Sequence, residues 1–195
     1  MISEKLGHRL DEPLAVLIKK TFLGSVSPAA LTLAGLVLNI LAAAAIIAGW
    51  WKSAACIILL AGFCDMLDGA AARVLEKTSP FGAFLDSVVD RYSDMVILLG
   101  FIVYYATRQN IPMVVVITIT SIGCVLIPYA RAKAECLIPL CNVGIMERPE
   151  RIILLAAGCL FDLVGPLFVV LAVLTHITVA QRIYYTWKHT QKPAQ

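Results

Sequence analysis

The chain has 195 residues, 60% of them hydrophobic, and a mean hydropathy of +0.86. These values exclude an ordinary soluble domain and leave room for one membrane domain. The net charge is only +3, and we expect no nucleic-acid partner. The six cysteines form no CxxC pair and mostly lie inside apolar runs, which indicates packing residues rather than a disulfide set or a zinc site.

Residues 1–24 predict an amphipathic helix that lies in the headgroup layer of a membrane. Apolar side chains recur there every four residues between basic ones, namely Leu6, Leu10, Leu14, Ile18 and Phe22 between Lys5, Arg9, Lys19 and Lys20. No small-residue cleavage site follows a short apolar core, so a signal peptide is not expected. A solvated helix packed on its own protein remains the alternative.

Residues 25–190 predict one membrane domain. Ser27 and Pro28 form a helix-start signal, because a capping hydroxyl precedes a proline at the first helical position. The expected spans are residues 28–49, 53 into the aspartate-rich stretch that begins at 65, 81–105, 111–129, 152–164 and 166–185. Polar turns are expected at 73–80 and 108–110, a charged segment at 131–151, and a break at Gly165 and Pro166. The predicted fold class is an all-α integral membrane protein with six transmembrane helices preceded by an N-terminal amphipathic interfacial helix.

Basic residues are unevenly distributed over this predicted topology. Six spans place both termini on one side, and fourteen of the sixteen lysines and arginines fall on that side. Only Lys52 and Arg108 fall on the other. Because basic residues concentrate in cytoplasmic segments of membrane proteins, we expect both termini to be cytoplasmic in an inner (cytoplasmic) membrane.

Four aspartates lie within 26 residues of this apolar chain: Asp65, Asp68, Asp86 and Asp90. The spacings i, i+3 and i, i+4 place each pair on one helix face. Small residues beside them, such as Gly69 and Gly82, allow two helices or a helix and a ligand to approach closely. An ionised carboxylate at membrane depth is costly unless it is paired or binds a cation, so these residues are functional candidates.

The carboxylates predict a divalent metal site. Four of them in a low-dielectric region repel one another, and oxygen-seeking ions such as Mg²⁺ or Mn²⁺ relieve that repulsion. Zinc is less expected because no His or Cys lies nearby at ligand spacing. Asp94, one turn further, is expected to support the metal ligands from behind or to pair with a neighbouring cation, rather than to touch metal.

Such a site suits phosphoryl transfer from a pyrophosphate. Metal ions held by carboxylates offset the charge on the phosphoryl oxygens, and one carboxylate left partly free would act as general base for an alcohol. Arginine is favoured as a phosphate anchor, and Arg73 lies one turn beyond Gly69. An ion or proton pathway of a transporter is the alternative use of intramembrane aspartates.

The pattern Asp65-x2-Asp68-Gly69-x2-Ala72-Arg73-x8-Gly82-x3-Asp86-x3-Asp90 resembles, without a gap, the signature of the CDP-alcohol phosphotransferase family. The resemblance implies an integral membrane enzyme with six spanning helices, usually a homodimer. It further implies that an alcohol displaces CMP from a CDP-linked lipid donor, commonly CDP-diacylglycerol, with one or two Mg²⁺ or Mn²⁺ ions bound.

The resemblance also implies a role for individual residues. Asp65, Asp68 and Asp86 would ligate metal, and Asp90 would lie at the metal and act as general base. The residues expected to bind the CDP donor are Ala29, Ala30, Leu31, Thr32, Asp68, Gly69, Ala72, Arg73 and Ser79. The SPAALT stretch at residues 27–32 is similar to the family's entrance to its first span in Pro28 and Thr32 only.

Further residues resemble the phosphatidylinositol phosphate and archaetidylinositol phosphate synthase branch of the family. They are Ser87 after Asp86, Arg91 after Asp90, YARAKAE at 129–135, MERPER at 146–151 and the pair Gln181-Arg182. The implied acceptor is inositol 1-phosphate, and its phosphate would bind Arg131, Arg148, Arg151 and Arg182. Two positions differ from the branch, because Pro128 and Arg131 stand where serine and lysine are common. Glycerol 3-phosphate, serine or another polyol therefore remain alternative acceptors.

Overall fold

Helices account for most of the protein in a computed structural model that describes residues 28–74 and 79–191. The six helices are α1 (Pro28–Ile47), α2 (Trp51–Val74), α3 (Pro80–Thr107), α4 (Ile111–Glu135), α5 (Arg148–Leu160) and α6 (Val164–Thr190). No strand occurs among these described residues. The predicted amphipathic helix at 1–24 and the predicted cap Ser27 lie outside them, and so do residues 75–78 of the polar turn predicted at 73–80.

Four helices are long and apolar enough to cross a bilayer, judged by length and composition. Their spanning parts are Ala29–Ile47, Trp51–Ala70, Ile111–Glu135 and Val164–Thr190. Helix α3 is long enough at 28 residues but contains several charged side chains in its first half. Helix α5 has 13 residues, which at about 1.5 Å per residue fall short of a hydrocarbon core about 30 Å thick. The fold is thus all-helical, with four candidate spans in the described part, and the six transmembrane helices that the sequence predicts stay a prediction.

Several predicted helix ends differ from the observed ones. Helix α4 passes through Pro128 and continues to Glu135, and α5 already begins at Arg148, so part of the predicted charged segment is helical. The break predicted at Gly165 and Pro166 is wrong, because both residues lie in the first turn of α6. The chain turns instead at residues 161–163, where Asp162 has a φ of 56°. This left-handed conformation ends α5, whereas a proline in the first turn of a helix removes no required N–H.

Helix packing brings the polar parts of the chain to one end of the bundle. Helix α1 packs on α2 and α3, α4 packs on α3 and α6, and α5 packs on α2 and α6. The apolar centre includes Phe101 and Phe168, whose rings meet edge to face with centroids 4.9 Å apart. The end of α2, the start of α3, the end of α4, the start of α5 and the end of α6 therefore share one side of the molecule.

Candidate active site

Three of the four predicted metal ligands converge in the structure. Asp65 and Asp68 come from α2, and Asp86 comes from α3. One carboxylate oxygen from each of them lies within 4.8 Å of the other two. The α2 pair shares a face because its members are three residues apart, and the packing of α1 against both helices holds α2 and α3 together.

The surroundings of Asp68 fit a bound cation. Its side chain is buried, and its Oδ2 atom has no hydrogen-bond partner within the described residues. The Thr32 side chain hydrogen-bonds this carboxylate. A buried charged oxygen without a partner is destabilising, and a set of three carboxylate oxygens suits Mg²⁺ or Mn²⁺. The residues present therefore fit the divalent ion that the sequence predicts.

Asp90 lies one turn after Asp86 on α3, and its closest cationic partner in the described structure is Arg148. The Asp90 Oδ1 atom is 2.7 Å from an Arg148 guanidinium nitrogen, and the same nitrogen pairs with Asp65. The three carboxylate oxygens that lie close enough together to share a metal ion come from Asp65, Asp68 and Asp86, and Asp90 is not part of this group. Metal ligation by Asp90 stays a prediction, and the structure adds the start of α5 as a neighbour of the aspartates.

A second polar feature is a cavity of about 240 Å³ next to Asp90. Five arginines and three acidic residues line it, together with Ile127, Pro128 and Pro149; the charged residues are Arg91, Arg131, Arg148, Arg151, Arg182, Asp90, Asp94 and Glu147. All four arginines predicted to bind the acceptor phosphate are among them. The excess of two positive charges makes the cavity suitable for an anion. We call it the arginine cavity.

Arg131 and Arg182 are held by residues of α4 and of the segment between α4 and α5. The Arg182 guanidinium is buried and donates to the carbonyl oxygens of Val143 and Ile127 at 2.9 and 2.6 Å. Arg131 donates to Glu135 and to the Asn142 side chain, both at 3.0 Å. The cavity wall is therefore preorganised by hydrogen bonds that the sequence motifs did not predict.

Arg148 and Arg151, the other two arginines predicted to bind the acceptor phosphate, are held by Asp94, for which the sequence predicts a cation partner. The Asp94 carboxylate pairs with Arg148 at 3.3 Å and with Arg151 at 2.5 Å. This prediction is confirmed. Sequence reasoning missed Glu147, whose carboxylate lies 3.7 Å from Arg182. The alternation of acidic and basic residues at 147–151 was the sequence signal that could have indicated Glu147 as an ion-pair partner.

The predicted donor-binding residues have varied surroundings. Ala29 and Ala30 are exposed in the first turn of α1, whereas Leu31 and Thr32 are buried there. Thr32 reaches the metal cluster through Asp68, and Gly69 is the next residue on α2.

The remaining donor-binding predictions lie around the turn between α2 and α3. Ser79 caps α3, and its hydroxyl accepts a 2.9 Å hydrogen bond from the Gly82 N–H. The side chains of Ala72 and Arg73 lie outside the described part of the structure. Donor binding by these residues stays a prediction.

The family of the chain follows from a sequence comparison that agrees with this site. Residues 25–187 match the model of the CDP-alcohol phosphatidyltransferase family. The match covers most of the chain, so the protein belongs to this family of transferases.

Individual members of the family that are similar to this chain include synthases of inositol-phosphate lipids. The archaetidylinositol phosphate synthase of Pyrococcus horikoshii is 33% identical over 96% of this chain and 97% of its own length. The phosphatidylinositol phosphate synthase of Mycobacterium tuberculosis with CDP-DAG bound is 26% identical, with a TM-score of 0.80 over 96% of this chain and 99% of that one. The same synthase in complex with manganese and citrate gives a TM-score of 0.81 over 95% and 93% of the two chains.

Proposed function

We propose that this protein transfers a phosphatidyl-type group from a CDP-linked lipid to a hydroxyl of inositol 1-phosphate and releases CMP. Family membership supports the reaction class. Similarity to synthases of inositol-phosphate lipids supports the acceptor, and the CDP-DAG complex of a relative supports the donor.

The observation that supports the proposal best is the adjacency of two sites with opposite charge. The carboxylates of Asp65, Asp68 and Asp86 form one site, and the arginine cavity forms the other. Asp90 lines the cavity, and Arg148 pairs with both Asp65 and Asp90. A metal-bound pyrophosphate and a phosphorylated alcohol could thus meet at Asp90.

In this mechanism Asp90 is the general base, as the sequence predicts. Its carboxylate faces the cavity in which the acceptor would bind, so it could accept the proton of the attacking hydroxyl. One or two bound Mg²⁺ or Mn²⁺ ions would supply positive charge next to the pyrophosphate oxygens of the donor. Thr32 orients Asp68 through its hydrogen bond, and the arginine cavity orients the acceptor.

The charge of the cavity favours a phosphorylated acceptor over serine or a neutral polyol. A phosphate monoester has a charge of about −1.5 to −2 at neutral pH, which matches the excess of two positive charges in the wall. Glycerol 3-phosphate carries the same group, so charge alone does not separate it from inositol 1-phosphate. The named relatives favour the inositol compound.

The wider organisation is proposed from the sequence pattern and the family. Helices α3 and α5 would complete six transmembrane helices in a membrane domain at residues 25–190, with residues 1–24 as an amphipathic helix on the bilayer surface. Both termini and the active site would face the cytoplasm, where CMP and inositol 1-phosphate are soluble, in the inner membrane. The enzyme would act as a homodimer.

An acceptor panel tests this function. Purified protein in detergent, with Mg²⁺ and a CDP-lipid of either diacyl or ether type, is expected to release CMP with inositol 1-phosphate and much more slowly with glycerol 3-phosphate, inositol or serine. A reaction confined to non-phosphorylated alcohols would exclude the inositol-phosphate assignment. Gradient-driven ion uptake into vesicles without CMP release would indicate a transporter instead.

The variant Asp90→Asn tests the role of Asp90 as general base. It keeps the shape of the side chain but removes the proton acceptor, so turnover should be lost while the thermal unfolding midpoint stays close to that of the wild type. Retained turnover in Asp90→Asn would exclude Asp90 as the base.

A further inference from the structure

Asp94 connects two arginines of the arginine cavity to helix α3. It lies one turn after Asp90 and is 15% exposed. One of its oxygen atoms is 3.3 Å from Arg148 Nε, and the other is 2.5 Å from an Arg151 terminal nitrogen. A single carboxylate of α3 thus binds two guanidinium groups that stand one turn apart on α5.

The partners of the other arginines show why this contact matters. Arg131 and Arg182 are oriented by residues of α4 and of the segment 136–147. Arg151 is 5% exposed, and Asp94 is its one hydrogen-bonding side chain in the described structure. Arg148 is shared between Asp94 and the two aspartates Asp65 and Asp90.

We propose that Asp94 is a positioning residue that holds Arg148 and Arg151 in the orientation that binds the phosphate of the acceptor. This inference rests on the proposed function. The carboxylate compensates the buried charge of Arg151 and holds the Nε side of Arg148, whose terminal nitrogen pairs with Asp65 and Asp90. Without it, Arg151 would lose its charged partner, and Arg148 would have only the aspartates of the catalytic site to pair with.

The variant Asp94→Asn separates positioning from a general structural role. The amide keeps the size of the side chain but cannot pair ionically with both guanidinium groups. We expect the KM for inositol 1-phosphate to rise about tenfold or more, while the KM for the CDP-lipid changes less than about threefold. Asp94→Glu restores the charge and should recover part of the acceptor affinity.

A double-mutant cycle gives a sharper test, with Arg151→Gln as the second change. Because Asp94 acts through Arg151, the effects on acceptor KM should be clearly less than additive. Arg131→Gln is the matched control: Arg131 lines the same cavity but has Glu135 and Asn142 as partners. Its effect should add to that of Asp94→Asn.

Binding of inorganic phosphate, measured by calorimetry on the detergent-solubilised protein, provides a readout that needs no turnover. Asp94→Asn should weaken this binding about tenfold, and Asp94→Glu should weaken it less. The wild type could bind phosphate more tightly than Asp94→Asn and yet transfer nothing to inositol 1-phosphate. That result would reject the proposed function and keep the positioning role.

Three results would overturn the positioning role. They are equal rises in donor and acceptor KM in Asp94→Asn, an additive cycle with Arg151→Gln, and phosphate binding that is absent or unaffected by the substitution. Should Asp94→Asn fail to fold, the Asp94→Glu variant and the Arg151→Gln single variant are compared in the same assays, and unchanged acceptor affinity in both would reject the role.

Discussion

In the described structure the Asp68 carboxylate is hydrogen-bonded by Thr32, but its Oδ2 atom has no hydrogen-bond partner. Its Oδ2 atom is buried between α1, α2 and α3, while the Thr32 hydroxyl hydrogen-bonds the carboxylate. Burying a charged oxygen in apolar surroundings costs free energy unless a cation compensates it. The neighbouring carboxylates of Asp65 and Asp86 add repulsion that the same cation relieves. The residue therefore favours metal binding for a local, physical reason.

Substitution Asp68→Asn tests this environment directly. We expect Mn²⁺ affinity, measured by electron paramagnetic resonance on the purified protein, to fall at least about tenfold, because one anionic ligand and part of the favourable charge are lost. Asp162→Asn is the control, since Asp162 is exposed in the turn between α5 and α6 at the opposite end of the bundle. Equal Mn²⁺ affinity in both variants would contradict a metal site at Asp68.

At the scale of elements, helices α1 and α3 pack closely at Gly100. A Cβ atom built on Gly100 would lie 3.0 Å from backbone atoms of Ala43, so a side chain would fit there only if the two helices moved apart by a few tenths of an ångström. This close approach keeps α3, the helix that carries Asp86 and Asp90, packed against α1. Small residues at such crossings allow helices to pack when water does not drive their association.

Gly100→Ala should therefore destabilise the bundle. Overpacking against a backbone costs about 1–3 kcal/mol, so the thermal unfolding midpoint in detergent should fall. Gly165→Ala is the matched control, because a Cβ at Gly165 meets no atom within 4 Å and alanine favours a helix. Its midpoint should be unchanged or slightly higher. A similar fall in both variants would mean that the α1–α3 crossing is not responsible.

The segment 136–147 is a second element that shapes the site without being helical. Arg182 of α6 donates to the Val143 carbonyl, and the Thr178 hydroxyl accepts from the Met146 N–H at 3.1 Å. Gly144 has a φ of 135° and lies against Thr178, where a larger residue would be strained and crowded. These contacts fix the chain just before Arg148.

Arg182→Ala should affect both the segment and the acceptor. Two main-chain carbonyls lose their charged donor, at a cost of about 1–3 kcal/mol for each unpaired group, and a cation leaves the arginine cavity. We expect a lower unfolding midpoint and an acceptor KM that rises far more than the donor KM. Arg108→Ala, an exposed arginine at the opposite end, should change neither. Equal effects on both KM values would remove Arg182 from acceptor binding.

The whole molecule has two chemically different ends. Carboxylates and arginines line one end, whereas Trp51, Tyr104, Tyr105 and Arg108 meet at the other. The Arg108 guanidinium lies 3.6 Å from the centroid of the Tyr104 ring. Aromatic side chains of this kind suit a membrane interface. The excess of basic residues lies at the catalytic end, and it predicts that the catalytic end faces the cytoplasm.

Cysteine labelling tests this orientation. Cys136 is exposed just after α4 at the catalytic end, and Asn110 is exposed just before α4 at the aromatic end. Single-cysteine proteins with either Cys136 or Asn110→Cys are treated with a membrane-impermeant maleimide. We expect Cys136 to react only in inside-out vesicles and the cysteine at 110 only in right-side-out vesicles. Labelling of both from the same side would contradict the proposed topology.

Local patterns were sufficient for much of this architecture. Apolar run length predicted α1 to α4 nearly to the residue at their starts, and the i, i+3 and i, i+4 spacings predicted which aspartates share a face. Resemblance in the motifs at 129–135, 146–151 and 181–182 selected four arginines that all line one cavity. The spacing and charge of side chains within a few helical turns determine these features, so they can be predicted from the sequence.

Other features depend on residues that are distant along the chain. The pairing of Arg148 with Asp65, Asp90 and Asp94 joins α5 to α2 and α3, and no spacing rule relates positions more than fifty residues apart. The place where α5 ends was also misjudged: the chain turns at Asp162, which has a left-handed conformation, and not at the break predicted at Gly165 and Pro166. Helix packing determines which charges meet, since each long side chain can reach several partners and only the fold selects among them.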